Sequence, residues 1–403
     1  MQKIKNIFRR LHPLRATESL YMFLRDESIG GKLVVAAAIV SVVVVNSPLE
    51  PLFREFWSQT LRLGVGGWTI ELSFLRWLNE GLMALFFLVV GLEIKRELIK
   101  GELREENSTI LPIGAAIGGV VIPALVYVLF TFQTPVTHGW GIPISTDTAI
   151  AIAVLGILRN HIPIQLKIFL LALAVADDIM AVSVITLFYS GAINLPFLAL
   201  SIAIVGIIFA FRKYLSTRLI IVLALGAVLW LSTYASGIHA SVVGVIMGLL
   251  APIPPRGRAV STPEKVERFF LPITTLFVVP LFAFANAGVV LSVEPLLHNQ
   301  NMIAGIVLGL VVGKVIGIVG ATWILIALKK ADLPENVSWR HVIGMSFIAG
   351  IGFTMSLFIA ELTFEQGSEY IDSAKIGIFA ASIISGVIGV SILRVARRTK
   401  IIG

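Results

Sequence analysis

Apolar residues come in long runs separated by short polar clusters. Leu33 to Leu49, Ser108 to Leu158, Ile168 to Phe211, Leu219 to Pro255, Phe269 to Val293, Met302 to Leu328, Val342 to Ala360 and Ile376 to Leu393 each carry no more than one or two ionisable groups. A helix crossing a bilayer needs about 20 consecutive apolar residues, so several of these runs hold two crossings. The pattern predicts an all-α polytopic membrane protein with twelve spans, at residues 31–47, 75–95, 109–131, 141–158, 164–189, 195–211, 219–233, 238–252, 269–291, 302–328, 341–363 and 374–393. The whole chain, 1–403, reads as one integral membrane domain.

Lys and Arg then sort between alternate loops, as the positive-inside rule requires of an even span count with both termini cytoplasmic. Of the 32 basic residues, 27 fall on the proposed inner side, with Arg54, Arg62, Arg76 and Lys375 outside and Lys314 within a span. Residues 1–30 form a cytoplasmic N-terminal segment, 48–74 a periplasmic loop and 394–403 a cytoplasmic tail. In that first outer loop TLRLGVGGWTIEL alternates apolar and polar residues about Gly66-Gly67, the signature of a β-hairpin between spans 1 and 2.

Composition agrees, with 57% hydrophobic and 14% charged residues, against about 25% charged in soluble proteins. The net charge of +8 sits at helix ends, so no nucleic-acid partner is expected. The absence of cysteine excludes disulfides, thiolate metal sites and cysteine catalysis. The basic N-terminal stretch lacks an apolar run followed by a small-residue cleavage site, so no cleaved signal is expected. No nucleotide-binding loop appears, and the glycines of GAAIGG suit close helix packing.

Four ionisable residues fall near mid-span: Asp147, the neighbours Asp177 and Asp178, and Lys314. Together they cost on the order of 10 to 14 kcal/mol in a membrane unless paired or wetted. A structural ion pair would need only one lysine and one carboxylate. Here three carboxylates face one amine, so at least one must bind a cation or a proton. Helix neighbours point about 100° apart, which lets one aspartate face Lys314 and the other an aqueous cavity.

The segment WGIPISTDTAIAI sets Pro143 and the cluster Ser145, Thr146, Asp147 and Thr148 inside an apolar span, and IAGIGFTMSLF interrupts the eleventh span similarly. Such breaks survive at membrane depth only where they line protein or a cavity. Two interruptions in corresponding places point to a binding site made by discontinuous helices.

The segments WLNEGLMALFFLVVGLEIKREL, GIPISTDTAIAIAVL, LKIFLLALAVADDIMAVSVI, SGIHASVVGVIMG, PLFAFANAGV, GLVVGKVIGI and GIGFTMSLFIA resemble the NhaA family of Na+/H+ antiporters, in the same order and across nearly the whole chain. That family is itself a known instance of inverted-repeat transporters. The resemblance implies inverted repeats in spans three to five and ten to twelve, with discontinuous spans 4 and 11 crossing. It implies that Asp147 and Lys314 compensate helix-end charge at the crossing. It makes Asp177 and Asp178 the ion and proton site, ligating the transported Na+, with Thr146 as an oxygen donor and Asp177 paired with Lys314, and leaves open which group releases the proton. It further implies pH sensing by Glu93, His239 and Glu267, Li+ as an alternative to Na+, no cofactor, a bacterial inner-membrane location, and a homodimer formed through the hairpin. Two departures stand out: Glu80 occupies an expected aspartate position, and the loop PIPPRGRAVSTPEKVERFF lacks histidines.

Burial disfavours a carboxylate's charged form, and Na+ prefers oxygen ligands as other hard cations do, so protons and Na+ compete for one site. If only an occupied site reorients, competition becomes exchange, and more than one proton per Na+ would make it voltage-driven. An intramembrane aspartyl protease would need a GxGD signature, and a prenyl transferase a DDxxD at the membrane face; neither is present, so no enzyme is expected. A channel and an organic-solute symporter remain alternatives on the residues alone.

Overall fold

The computed structural model describes residues 27–65, 68–100, 106–158, 162–215, 218–251, 262–290, 298–365 and 367–396. Most of the N-terminal segment, the Gly66-Gly67 turn, most of the histidine-poor loop and the last residues of the tail lie outside the described residues.

The described chain is helical apart from one two-stranded antiparallel sheet. Helix α1 (Glu27–Val45) leads through a bend of 113° to α2 (Glu50–Ser58). Strands β1 (Thr60–Val65) and β2 (Trp68–Ser73) pair in the register Thr60↔Ser73 to Val65↔Trp68, and Arg62 bridges to Glu71 across them at 2.8 Å. A π-helical stretch Trp77–Leu82 runs into α3 (Met83–Lys100), followed by α4 (Glu106–Thr131). A 3-10 helix Pro135–Ile144 precedes α5 (Thr148–Ile157), then α6 (Ile164–Phe188), α7 (Leu195–Leu215), α8 (Leu219–Ala235) and α9 (Val242–Leu250). Helix α10 (Thr262–Ile273) continues through π-helical Thr274–Val278 into α11 (Val279–Asn286). Likewise α12 (Gln300–Leu308) continues through π-helical Gly309–Gly313 into α13 (Lys314–Ala327). The chain closes with α14 (Trp339–Ala349), α15 (Phe353–Thr363) and α16 (Glu369–Val395).

Among the described residues, six helical runs are long and apolar enough to cross a membrane, and nine if each of three bent pairs counts as one. The other three spans expected from the sequence fall on α3, α8 and α9. Helix α3 ends in Glu93, Lys95, Arg96 and Glu97, and the other two have only 17 and 9 residues.

The glycines of α4 are packing glycines. A Cβ on Gly118 would run into the Gly317 carbonyl of α13, and one on Gly119 would meet Ile318 at 2.9 Å. The close approach brings α13, and with it Lys314, against α4. The 3-10 helix is held by Tyr127 of α4, whose hydroxyl donates to the Val136 carbonyl at 2.7 Å. The main core then gathers buried side chains of α4, α6, α13, α14 and α15 around the two helix breaks.

The charge count sets Lys375 on the outer side; in the fold its ammonium is buried on Glu361 Oε1 of α15 at 3.1 Å. Lying only ~2 turns inside α16, it satisfies a loop-side count, yet the neighbouring helix covers it.

Candidate functional site

The site forms where two interrupted helices meet. Residues 145–147 separate the 3-10 helix from α5 at a bend of 43°, and residues 350–352 separate α14 from α15 at 41°. Each break frees backbone groups that a continuous helix would satisfy, and at depth such groups need partners. The two breaks supply them to each other. The Asp147 N–H donates to the Ile351 carbonyl at 2.6 Å and the Thr146 hydroxyl to the Ala349 carbonyl at 2.8 Å. In return the Thr354 N–H and hydroxyl donate to Asp147 Oδ2 at 3.0 and 2.5 Å. Two residues on, the Ser356 hydroxyl donates to the Ile142 carbonyl at 2.7 Å.

Asp147 is the N-cap of α5, its Oδ1 accepting from the Ile150 N–H at 3.0 Å. The same carboxylate therefore stands at the N-termini of both α5 and α15, where exposed N–H groups carry partial positive charge. Lys314, fully buried, donates to Asp177 Oδ2 at 2.7 Å and to Thr146 Oγ1 at 3.1 Å. Its ammonium thus approaches the side of the crossing where Thr146 binds the last carbonyl of α14, the negative end of that helix.

The paired aspartates of α6 differ in surroundings. Asp177 is 1% exposed and bonded to Lys314. Asp178, about 100° around the helix, is partly open to solvent. Among the charged groups around it are three carboxylates, Asp177, Glu93 and Asp147, and the ammonium of Lys314. Along the first break the hydroxyls of Ser145 and Thr148 are buried without a hydrogen-bond partner in the described structure. Carboxylate, hydroxyl and carbonyl oxygens are what a small hard cation prefers. No group of three or more His, Asp or Glu among the described residues is arranged to hold a resident metal ion.

The three residues singled out for pH sensing separate into two places. Arg96 of α3 reaches Glu267 of α10 at 2.7 Å and Glu93 at 3.6 Å, so one guanidinium joins two of them. His239 is elsewhere. Its Nδ1 is 2.8 Å from Glu80 Oε1 and its Nε2 is 2.8 Å from the Tyr189 carbonyl. Glu80 precedes Glu93 by 13 residues on one continuous helical run, about 20 Å along the axis.

Sequence reasoning placed Thr354, with Gly350, Gly352 and Ser356, in the second interruption but gave it no partner, because only the fold turns its hydroxyl toward Asp147. It likewise missed Arg96 as a bridge, having counted it as an inner charge. The buried amide pair of Asn79 and Asn286, reciprocally bonded at 3.2 and 3.0 Å, had no signal beyond polarity in apolar segments.

Comparison with known proteins places this geometry in context. The sequence model of the family described as Na+/H+ antiporter 1 matches residues 21–393. A protein of Arthrobacter sp. (strain FB24) named Na(+)/H(+) antiporter NhaA is 42% identical over 395 residues, 93% of this chain and 85% of that one. Na(+)/H(+) antiporter NhaA 2 of Clostridium beijerinckii is 39% identical over 376 residues, 92% and 93% of the two chains. The solved structure of the sodium proton antiporter MjNhaP1 from Methanocaldococcus jannaschii at pH 8 superposes with a TM-score of 0.54 at 12% identity, covering 94% of this chain and 98% of that one. That likeness is one of fold. With its family model spanning nearly the full length and relatives near 40% identity along more than nine tenths of it, the chain belongs to the Na+/H+ antiporter 1 family.

Proposed function

We propose that this chain is a secondary-active transporter that expels Na+, and Li+ in its place, in exchange for protons across a bacterial inner membrane. The observation that carries the reading is the asymmetry of the α6 aspartates: Asp177 is sealed on Lys314 while Asp178 is only partly buried and has no ion-pair partner among the described residues. A partly buried carboxylate at a helix crossing is a site that either a proton or Na+ can neutralise. Ser145, Thr146 and Thr148 are the hydroxyls along the first break. Asp147 and Lys314 compensate the partial charges of the helix ends, so that the crossing is near neutral when the site is filled.

In this reading twelve spans, with inverted repeats at spans three to five and ten to twelve, place both termini in the cytoplasm. The hairpin of β1 and β2 lies outside, where it pairs two copies into a homodimer. Exchange follows from a rule of occupancy: the site crosses when bound to Na+ or protons, and not when empty and charged. With more than one proton per Na+, each cycle moves charge and is driven by voltage, worth about 2.3 kcal/mol per charge per 100 mV. Glu93 and Glu267, joined through Arg96, regulate activity with pH from the cytoplasmic side; His239 would act separately, through Glu80.

The test is Na+-induced proton release from acidified everted membrane vesicles across pH 6 to 9, for the wild type and Asp178→Asn. Na+-dependent dequenching that the variant lacks supports exchange at Asp178. Silence of a well-expressed wild type at every pH overturns the antiporter reading.

A further inference from the structure

A short helix beside the first strand has an apolar face that the fold leaves uncovered. Helix α2, EPLFREFWS, follows α1 at 113°, so where α1 stands across a membrane α2 runs along its surface. Pro48 ends any continuation of α1, and the turn is fastened from both sides. Asn46 Nδ2 donates to the Val42 and Val289 carbonyls, each at 2.8 Å, and the Ser41 hydroxyl donates to the Phe284 carbonyl at 2.5 Å. The Phe53 ring packs edge-on against Phe284 at 5.3 Å. The orientation of α2 is thus fixed against the end of α11.

At about 100° per residue, Leu52, Phe56, Leu49, Phe53 and Trp57 fall in that order on one arc of roughly 140°. Glu50, Arg54, Ser58 and Glu55 occupy the opposite side, with Arg54 paired to Glu50 one turn away. The protein covers only one edge of the apolar arc. Trp57 is 8% exposed, whereas Leu49, Leu52 and Phe56 are 53%, 63% and 51% exposed. On the last turns of α1, Ile39, Val40 and Val43 are exposed as well, as side chains facing lipid are in a membrane-spanning helix.

We infer that α2 is an interfacial helix whose Leu49, Leu52 and Phe56 edge lies in the acyl and headgroup boundary of the bilayer on the side where α1 ends. An amphipathic helix held parallel to a membrane buries such an edge by about 5 to 10 Å. Its polar side then faces water, and its rigid seat on α11 sets the depth at which the transporter sits. The inference rests on the membrane reading of α1 and on no part of the exchange mechanism.

The chain has no cysteine, so single cysteines can be introduced without background. Leu52→Cys, Phe56→Cys, Glu55→Cys and Ser58→Cys, each in the full chain, carry a nitroxide in vesicles of phosphatidylethanolamine and phosphatidylglycerol. Spin relaxation is read with oxygen, which concentrates in lipid, and with a water-soluble nickel chelate. Labels at 52 and 56 are expected to collide several-fold more with oxygen than with nickel, and labels at 55 and 58 the reverse. Ready nickel access at 52 and 56 overturns the inference. So does protection from both reagents with dipolar broadening lost on dilution with unlabelled protein, because a second copy then covers the edge. Because the readout is positional, loss of Na+ exchange in vesicles leaves it unaffected.

Discussion

The fold contains two buried lysine–carboxylate pairs that look alike and differ in everything around them. Lys314 and Asp177, 2.7 Å apart, lie where two helices are broken, next to a second, partly buried carboxylate. Lys375 and Glu361, 3.1 Å apart, join α16 to the far end of α15, nine residues beyond the break at Gly352. Both partners of the first pair are fully buried, and the second pair keeps its lysine side chain 10% exposed. A buried pair alone is therefore no sign of transport, since burying two charges costs about as much as their attraction returns. The surplus carboxylate and freed backbone around Lys314 set that region apart.

The comparison breaks at Asp178 if the proposed mechanism is wrong. Asp178→Asn is expected to reduce Na+-dependent proton release to background while leaving the thermal midpoint in detergent near that of the wild type, since no partner is stranded. An unchanged release would make the two pairs equivalent and the first merely structural.

Next in size is Lys314→Met. It strands the Asp177 carboxylate, and breaking a buried pair from one side costs about 3 to 5 kcal/mol. The loss should appear as a lowered thermal midpoint in detergent. The double variant with Asp177→Asn should recover much of the midpoint and none of the exchange.

Lys375→Met sharpens the contrast. With a more accessible ammonium the loss should stay below about 3 kcal/mol, again visible as a lowered melting midpoint. The Na+ concentration for half-maximal exchange should remain that of the wild type. A clear change in that concentration would show that Glu361 and Lys375 act on the site through α15.

Thr354→Val is the smallest change. It deletes the hydroxyl bond to Asp147 and keeps the Thr354 N–H bond, and a hydrogen bond to a charged group contributes about 1.5 to 3 kcal/mol. We expect a weakened apparent Na+ affinity with normal expression, and rescue by Thr354→Ser, which restores the donor. Failure of serine to rescue would assign the effect to packing.

Much of this architecture was legible along the chain because the bilayer constrains it so strongly. Apolar runs marked the helices, and Asp147, Asp177, Asp178 and Lys314 stood out because an ionisable group is costly in such a run. Pro143 and the polar cluster after it marked the first break. Most pairing was not legible. The family resemblance matches Lys314 to Asp177, but nothing in local sequence matches His239 to Glu80 rather than Glu93, or Thr354 to Asp147. Lys375 shows the limit well. Near a helix end it reads as a loop charge, and only the packing of α15 against α16 reveals its partner.

By itself, then, the sequence determined which stretches are helical, which groups must be compensated within them and which family the chain resembles, because those follow from one-dimensional patterns of polarity. Tertiary structure decided that Asp177 is sealed and Asp178 only partly buried, and how two breaks satisfy each other's backbone. It also decided that α2 turns along the end of α1 with one apolar edge bare. Each of these depends on residues up to some two hundred positions apart meeting within hydrogen-bond distance, and helix crossings set that proximity where local propensity cannot.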